Sequence, residues 1–330
     1  MPSANTRPTR NLALDLVRVT EAAALSAGRF MGRGDKNAAH SATADGIHLL
    51  LNSIQMDGVV VIGEGEKEFT PILYNGEKLG TGEPPLVDIA IEPIDGTRPM
   101  ALGMGNSITT VAMTPRGAMF NPGPYAYMAK IAVGPQARDA INIEASVAEN
   151  LNNVARALGK DVKDLAVVIL DRARHRELIK EVRMCGSRIR LIPDGDIAGA
   201  LMTCLPESGI DLLMGTGGSS EAVLAACALR CIGGNMQGKL VPPNPGETFP
   251  GEPSDVDFTR ILHIEDLVSS EDVFFAATGI TNGDLLRGVN YFADVATTDS
   301  LVMRGLTGTI RRITATHRLS KLNLISGLEF

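Results

Sequence analysis

The chain has 330 residues, 44% of them hydrophobic, and a mean hydropathy of +0.09, which provides a sizeable core and excludes a disordered chain. A net charge of −7 with no basic run argues against nucleic acid, whose backbone needs a basic face. No apolar stretch reaches the length of about 18 residues that a membrane span needs. Asp15, Arg18 and Glu21 interrupt the apolar part of the N-terminus, unlike a signal peptide, so the expectation is a cytoplasmic protein.

Apolar residues at helical spacing (Leu12, Leu16, Val19) predict a helix over 11–30. Ile47, Leu50, Leu51 and Ile54 predict a second helix over 38–55. The β-branched, glycine-bounded "GVVVIG" (58–63) reads as a buried strand, followed by strands at "VDIAIE" (87–92) and "SITTVAM" (107–113). The last of these is expected to pair with "AMFNP" or "MAKIAV", and a helix follows at 147–158. Beyond residue 160, strand and helix alternate: 165–170 then 175–184, 188–193 then 195–203, 211–215 then 219–231. That rhythm predicts a mostly parallel sheet with its loops gathered at strand C-termini. The Pro/Gly-rich segment 241–255 reads as an exposed loop, and strands are predicted at 273–279, 299–304 and 308–314. The class is α/β, in two α/β domains over 1–160 and 161–330. Of the four cysteines, Cys227 and Cys231 lie four apart on a predicted helix and none forms a CxxC pair, which suits buried, reduced thiols.

Hard divalent cations want several carboxylate oxygens near the ends of rigid elements. Glu64 and Glu66 follow the strand 58–63, Glu92 ends the strand 87–92 with Asp95 in the turn after it, and Glu221 opens a helix after "MGTGGSS". Singly, each also fits a plainer role: a solvated loop, a strand-end charge, or a helix-capping glutamate. Their joint occurrence beside "PIDGT" favours a metal-dependent phosphatase. In "DGTRP", Thr97 is expected to cap a short helix, and Gly96 lets backbone amides approach a phosphate. Arg172 and Arg174 follow the strand 165–170, where arginine forks suit a second phosphate, and "PDGD" places Asp194 and Asp196 where carboxylates grip hydroxyls. "GTGG" lacks the full dinucleotide fingerprint, so a nicotinamide oxidoreductase is disfavoured.

"EPIDGT" and "IGEGE" resemble the signature turn and glutamate loop of the lithium-sensitive, inositol-monophosphatase-like phosphatases. The chain is similar from end to end to the class II fructose-1,6-bisphosphatases of bacteria. The similarity runs through "VRVTEAAALS", "MGRGDKN", "VVIGEGE", "LYNGEKLGTG", "YMAKI", "LDRARH", "IPDGD", "MGTGG", "ATGITNGDLLRG" and "TIRRI". The resemblance implies a sugar-phosphatase-like α-β-α-β-α sandwich. It implies hydrolysis of the 1-phosphate of fructose 1,6-bisphosphate with Mn²⁺ or Mg²⁺, without a covalent enzyme intermediate, in a homotetramer or homodimer. It also implies Glu64, Glu92, Asp95 and Glu221 as metal ligands, Glu66 as a further source of basicity, and Thr97 as the residue that positions or deprotonates the attacking water. Asp95, Gly96 and Thr97 would touch the reacting phosphate, and Tyr127 the substrate. Arg172, Ala173 and Arg174 would line the pocket, Asp194, Gly195 and Asp196 would meet sugar hydroxyls, and Gly218 would approach the substrate with its backbone.

Two departures stand out. The signature turn reads Glu92 then Asp95, where the family usually has aspartate first. Three residues beyond the asparagine of "GDKN", where the family carries an acid, stands His40. Neutral imidazole ligates Mn²⁺ and accepts protons, so His40 is expected either to replace the acid as ligand or base, adding a pH-dependent limb near neutrality, or to weaken a metal site. The weakened site leaves open a sugar-phosphate sensor, and a related enzyme that also takes sedoheptulose 1,7-bisphosphate shares the same motifs. His48, His175, His263 and His317 show no ligand spacing and read as packing or surface residues, with His175 near the pocket.

Overall fold

The computed structural model describes residues 11–65, 71–243, 256–326 and Phe330. Helices α1 (Ala13–Gly28) and α2 (Lys36–Leu51) lead into strands β1 (Asp57–Ile62), β2 (Lys78–Leu79) and β3 (Leu86–Asp95). The short helix α3 (Thr97–Ala101), strands β4 (Ile108–Pro115) and β5 (Tyr127–Val133) and helix α4 (Val147–Leu158) follow. Next come β6 (Ala166–Leu170), α5 (Arg176–Met184), β7 (Arg188–Ile192), α6 (Asp196–Met202), β8 (Leu212–Gly218) and α7 (Ser219–Ile232). The rest comprises β9 (Asn235–Leu240), β10 (Leu262–His263), α8 (Ile264–Leu267), β11 (Phe274–Gly279), β12 (Asn290–Phe292), β13 (Val295–Arg304), β14 (Thr309–Arg318) and α9 (Leu319–Ser326).

Two mixed sheets carry these strands. The first runs β12-β13-β11-β4-β3-β1-β2, with β14 along the other side of β13, and only β1 and β3 are parallel. The second runs β10-β9-β5-β8-β6-β7. In it β6 is parallel to β7 and β8, while β5 is antiparallel to both β8 and β9. The expected mostly parallel sheet is therefore confined to β6, β7 and β8, where helices make the crossovers. The expected pairing of β4 is corrected as well: it lies between β3 and β11, while β5 crosses to the second sheet and Met119 makes only an isolated bridge to Val268. Sheet membership does not follow chain order, so no single cut near residue 160 separates the sheets.

Alternation along the strands explains the layers. On β3, β4 and β11, Ile89, Ile91, Val111, Met113 and Ala276 face α1 and α2 in one core, with Leu16, Val19, Ile47 and Leu51. Their neighbours Ala90, Ala112, Phe275 and Ala277 face the other way, onto α7. From its far side α7 meets Met128, Ala132, Leu213 and Met236 of the second sheet. Buried on both flanks, α7 is apolar nearly all round, as "EAVLAACALRC" requires. Helices α4 and α5 close the outer face of the second sheet through Leu151, Val154, Ile179 and Val182. Five layers result, α-β-α-β-α, as expected. Cys227 and Cys231 are buried in α7 and free.

One buried acid lies on the back of this frame. Glu21 of α1 is 9% exposed and accepts a long bond from the Thr298 hydroxyl at 3.4 Å, and that hydroxyl also pairs with His317 Nε2 at 2.8 Å. Burial pushes the Glu21 carboxyl up from 4.5 to about 7 and pushes His317 down. The folded state therefore keeps the Glu21 proton where the unfolded chain has released it, so this group's contribution is fully present below 4.5 and lost by about pH 7. Glu21→Gln should thus gain on the wild type in Tm between about pH 5 and about pH 8. A difference in Tm that is the same at both pH values would show that Glu21 ionises freely.

Candidate active site

The turn after β3 does not form as the cap rule suggests. Gly96, not Thr97, is the cap of α3, and its φ of 95° is the left-handed region that glycine reaches without strain. Thr97 is the first residue of the helix, and its hydroxyl donates to Ile94 O at 3.0 Å. Ser107 Oγ donates to Gly96 O at 2.8 Å and fixes the turn from β4. Glu92 and Asp95 are thereby carried on a strand that continues through residue 95, past the irregularity in its pairing with β4.

This turn forms one wall of a cavity of about 490 Å³ between the two sheets. Glu92, Asp95, Gly96 and Thr97 line it from the first sheet; Tyr127, Arg172, Arg174, Asp194, Gly195, Asp196, Gly218 and Glu221 line it from the second sheet and its helices. Ala173 lies in the short turn between the two arginines rather than on the wall. Glu64 and His40 stand beside the cavity: His40 Nε2 is 2.8 Å from Glu64 Oε2, and that bond raises the His40 pKa. Glu66 lies outside the described residues. Lys36 and Arg98 also line the cavity and were not singled out in the sequence, although each neighbours a motif residue, Lys36 inside "GDKN" and Arg98 directly after Thr97.

The acids crowd one another. Burial, followed by the charges of Glu221, Asp95 and Glu64, pushes Glu92 well above the usual carboxylate range. Burial, then Asp196 and Glu221, does the same to Asp95, and burial with Asp196 raises Glu221. Lys130 opposes the rise at both Asp95 and Glu221. Asp95 Oδ2 is buried with no hydrogen-bond partner among the described residues. Among the described residues, no three His, Cys, Asp or Glu side chains close around one point, so the acids face a shared cavity rather than a finished cage. A partnerless buried carboxylate oxygen among mutually repelling acids nonetheless fits a hard divalent cation, whose charge would relieve the repulsion.

Two glycines on this wall leave room for carboxylates. A Cβ on Gly218 would lie 1.7 Å from Glu221 Oε2, and one on Gly217 would lie 2.0 Å from Asp196 Oδ2. The cavity lining carries cations as well. Arg172 forms an ion pair with Asp194, whose other oxygen is 3.5 Å from Arg98 Nε. Arg174 donates to Thr216 O from Nε at 3.0 Å and Nη2 at 2.7 Å, and stacks 5.1 Å from the Tyr127 ring centre. Beneath it, the buried His175 links two elements, with Leu170 O 2.7 Å from Nδ1 and the Thr216 amide donating to Nε2 at 2.8 Å. Burial lowers the His175 pKa, which keeps the ring neutral with its proton on Nδ1.

The family described as "Bacterial fructose-1,6-bisphosphatase, glpX-encoded" matches residues 10–317. The chain is 42% identical over 325 residues to fructose-1,6-bisphosphatase 1 class 2 of Escherichia coli (strain K12), a match covering 94% of this chain and 96% of that protein. The fructose-1,6-bisphosphatases class 2 of Escherichia coli O6:H1 and of Shigella flexneri are similar to the same extent.

His175→Ala should lower stability by about 1–3 kcal/mol, because the Thr216 amide and the Leu170 carbonyl lose their partner away from water. Urea unfolding reads this directly, and an unchanged midpoint would mean that water replaces the imidazole.

Proposed function

The chain belongs to the bacterial fructose-1,6-bisphosphatase family, and on that premise we propose that it hydrolyses D-fructose 1,6-bisphosphate to fructose 6-phosphate and phosphate. The observation that carries the reading is the mixed charge of one cavity lining, in which Asp95, with an oxygen that has no hydrogen-bond partner among the described residues, Glu92 and Glu221 share the space with Arg172 and Arg174. A bisphosphate offers one phosphate to the acids and their cation and the other to the arginines.

Glu64, Glu92, Asp95 and Glu221 would hold Mn²⁺ or Mg²⁺, which when bound would draw charge from the phosphoryl oxygens. The residues of the chain supply the rest. Gly96 and the start of α3 offer backbone amides to the reacting phosphate, and Thr97 positions the water that attacks in line, its proton passing toward the glutamates of the "GEGE" loop. Arg172 and Arg174 hold the second phosphate with planar forks, with Tyr127 stacked beside Arg174. Asp194 and Asp196 accept from sugar hydroxyls. The enzyme would act in gluconeogenesis as a cytoplasmic homo-oligomer.

His40 is assigned a part played through Glu64. Its 2.8 Å contact orients that carboxylate as an outer partner orients a metal ligand.

Purified protein should release phosphate from fructose 1,6-bisphosphate with Mn²⁺ or Mg²⁺ and stop on chelation. Asp95→Asn should lower kcat by about 10²–10³-fold. Turnover with excess Mn²⁺ excludes the sensor; silence with both metals would leave the family membership standing and redirect the search to another sugar phosphate. In a second experiment, His40→Ala should weaken Mn²⁺ activation by about tenfold or more, while His40→Gln, which keeps a donor for Glu64, should lose less. Equal losses would remove His40 from the orienting role.

A further inference from the structure

Lys130, in the middle of "YMAKI", has no part in the reaction proposed above, yet its side chain is only 3% exposed at the centre of the second sheet. A buried ammonium is costly unless it is paired and hydrogen-bonded. Its Nζ donates to Gly218 O at 3.0 Å and forms an ion pair with Asp196 Oδ2. The strand crosses this pair at Gly217, where a Cβ would lie 3.0 Å from Lys130 Nζ and 2.0 Å from Asp196 Oδ2. One ammonium thus ties β5, the end of β8 and the start of α6 together. It sits behind the wall and is absent from the cavity lining, whereas Asp196 and Gly218 both face the cavity.

We propose that Lys130 is a positioning residue for the sugar, holding the Asp196 carboxylate and the Gly218 backbone in the fixed relation that receives the hydroxyls. The inference rests on the reading that Asp196 and Gly218 meet the sugar of a sugar phosphate. Its signature is selective. Lys130 makes no bond to the phosphate-binding turn at Gly96 and Thr97 and reaches Asp95 and Glu221 only by its charge, so the sugar loses its seat while inorganic phosphate loses little.

Full-length Lys130→Met and the wild type would be titrated calorimetrically, in Mn²⁺, with fructose 6-phosphate and separately with inorganic phosphate. Removing one partner of a buried ion pair strands the other, so the Kd for fructose 6-phosphate should rise about tenfold or more while that for phosphate stays within about twofold. Equal shifts for both ligands, or a shift for neither, overturn the proposal. Lys130→Gln keeps a donor for Gly218 O and is read by the same ratio if Lys130→Met does not fold. Loss of folding in both variants assigns Lys130 to the core alone and also overturns it. Binding needs no turnover, so absence of fructose 1,6-bisphosphate hydrolysis by the wild type would count against the proposed reaction, while this split would still be measured.

Discussion

Between the two sheets there is room for a layer of helix, and α7 fills it with alanine: Ala222, Ala225, Ala226 and Ala228 are all essentially inaccessible. The faces they meet are trimmed to match, with Ala90, Ala112 and Ala277 on the first sheet and Ala132 on the second. Small residues on both sides bring the sheets close enough for one cavity to take walls from each. They also fix where α7 begins, and its first turn delivers Glu221 to that cavity beside Gly217 and Gly218. In an interior packed as densely as a crystal, enlarging any of these alanines would spread the two walls.

The electrostatics of the cavity depend on that closeness. The protein is acidic overall, yet its site carries Arg98, Arg172 and Arg174 among the acids, so local composition rather than net charge decides what anion the cavity can take. The carboxyls of Glu92, Asp95 and Glu221 are pushed up mainly because they are withdrawn from water, with mutual repulsion second. Geometry and charge therefore act together: the sheets hold the acids at separations that solution chemistry would relax.

Much of this was legible in the sequence because it is local. Helical spacing at Leu12, Leu16 and Val19, β-branched runs such as "AVVIL", and glycine-bounded turns all report on neighbours a few residues away. Asp95, Gly96, Thr97, Arg172, Asp194 and Glu221, drawn from motifs far apart in the chain, line one cavity. Partners from distant segments were not legible. The strand beside β4 arrives only at Phe274, and no pattern near Ile108 announces it. Lys130 reads as an ordinary polar residue alternating within β5, and only the fold shows that Asp196 neutralises it. Gly96 took the cap position from Thr97 because the chain turns left-handed there, a conformation glycine adopts without strain, which the string "DGT" leaves open.

The order in which the first sheet is assembled bears on how the chain reaches this state. Strand β4 is flanked by β3 and β11, so until residues 274–279 exist, one long side of β4 has no partner. During synthesis the ribosome therefore presents β1, β3 and β4 with an open, largely apolar edge while the whole second sheet is being made. Closure waits for strands β11 to β14, because the β4–β11 pairing joins segments separated by the whole second sheet in the chain. The C-terminal strands act as a latch on the N-terminal sheet, whereas the charges around Glu92 and Asp95 come mainly from α6 and α7.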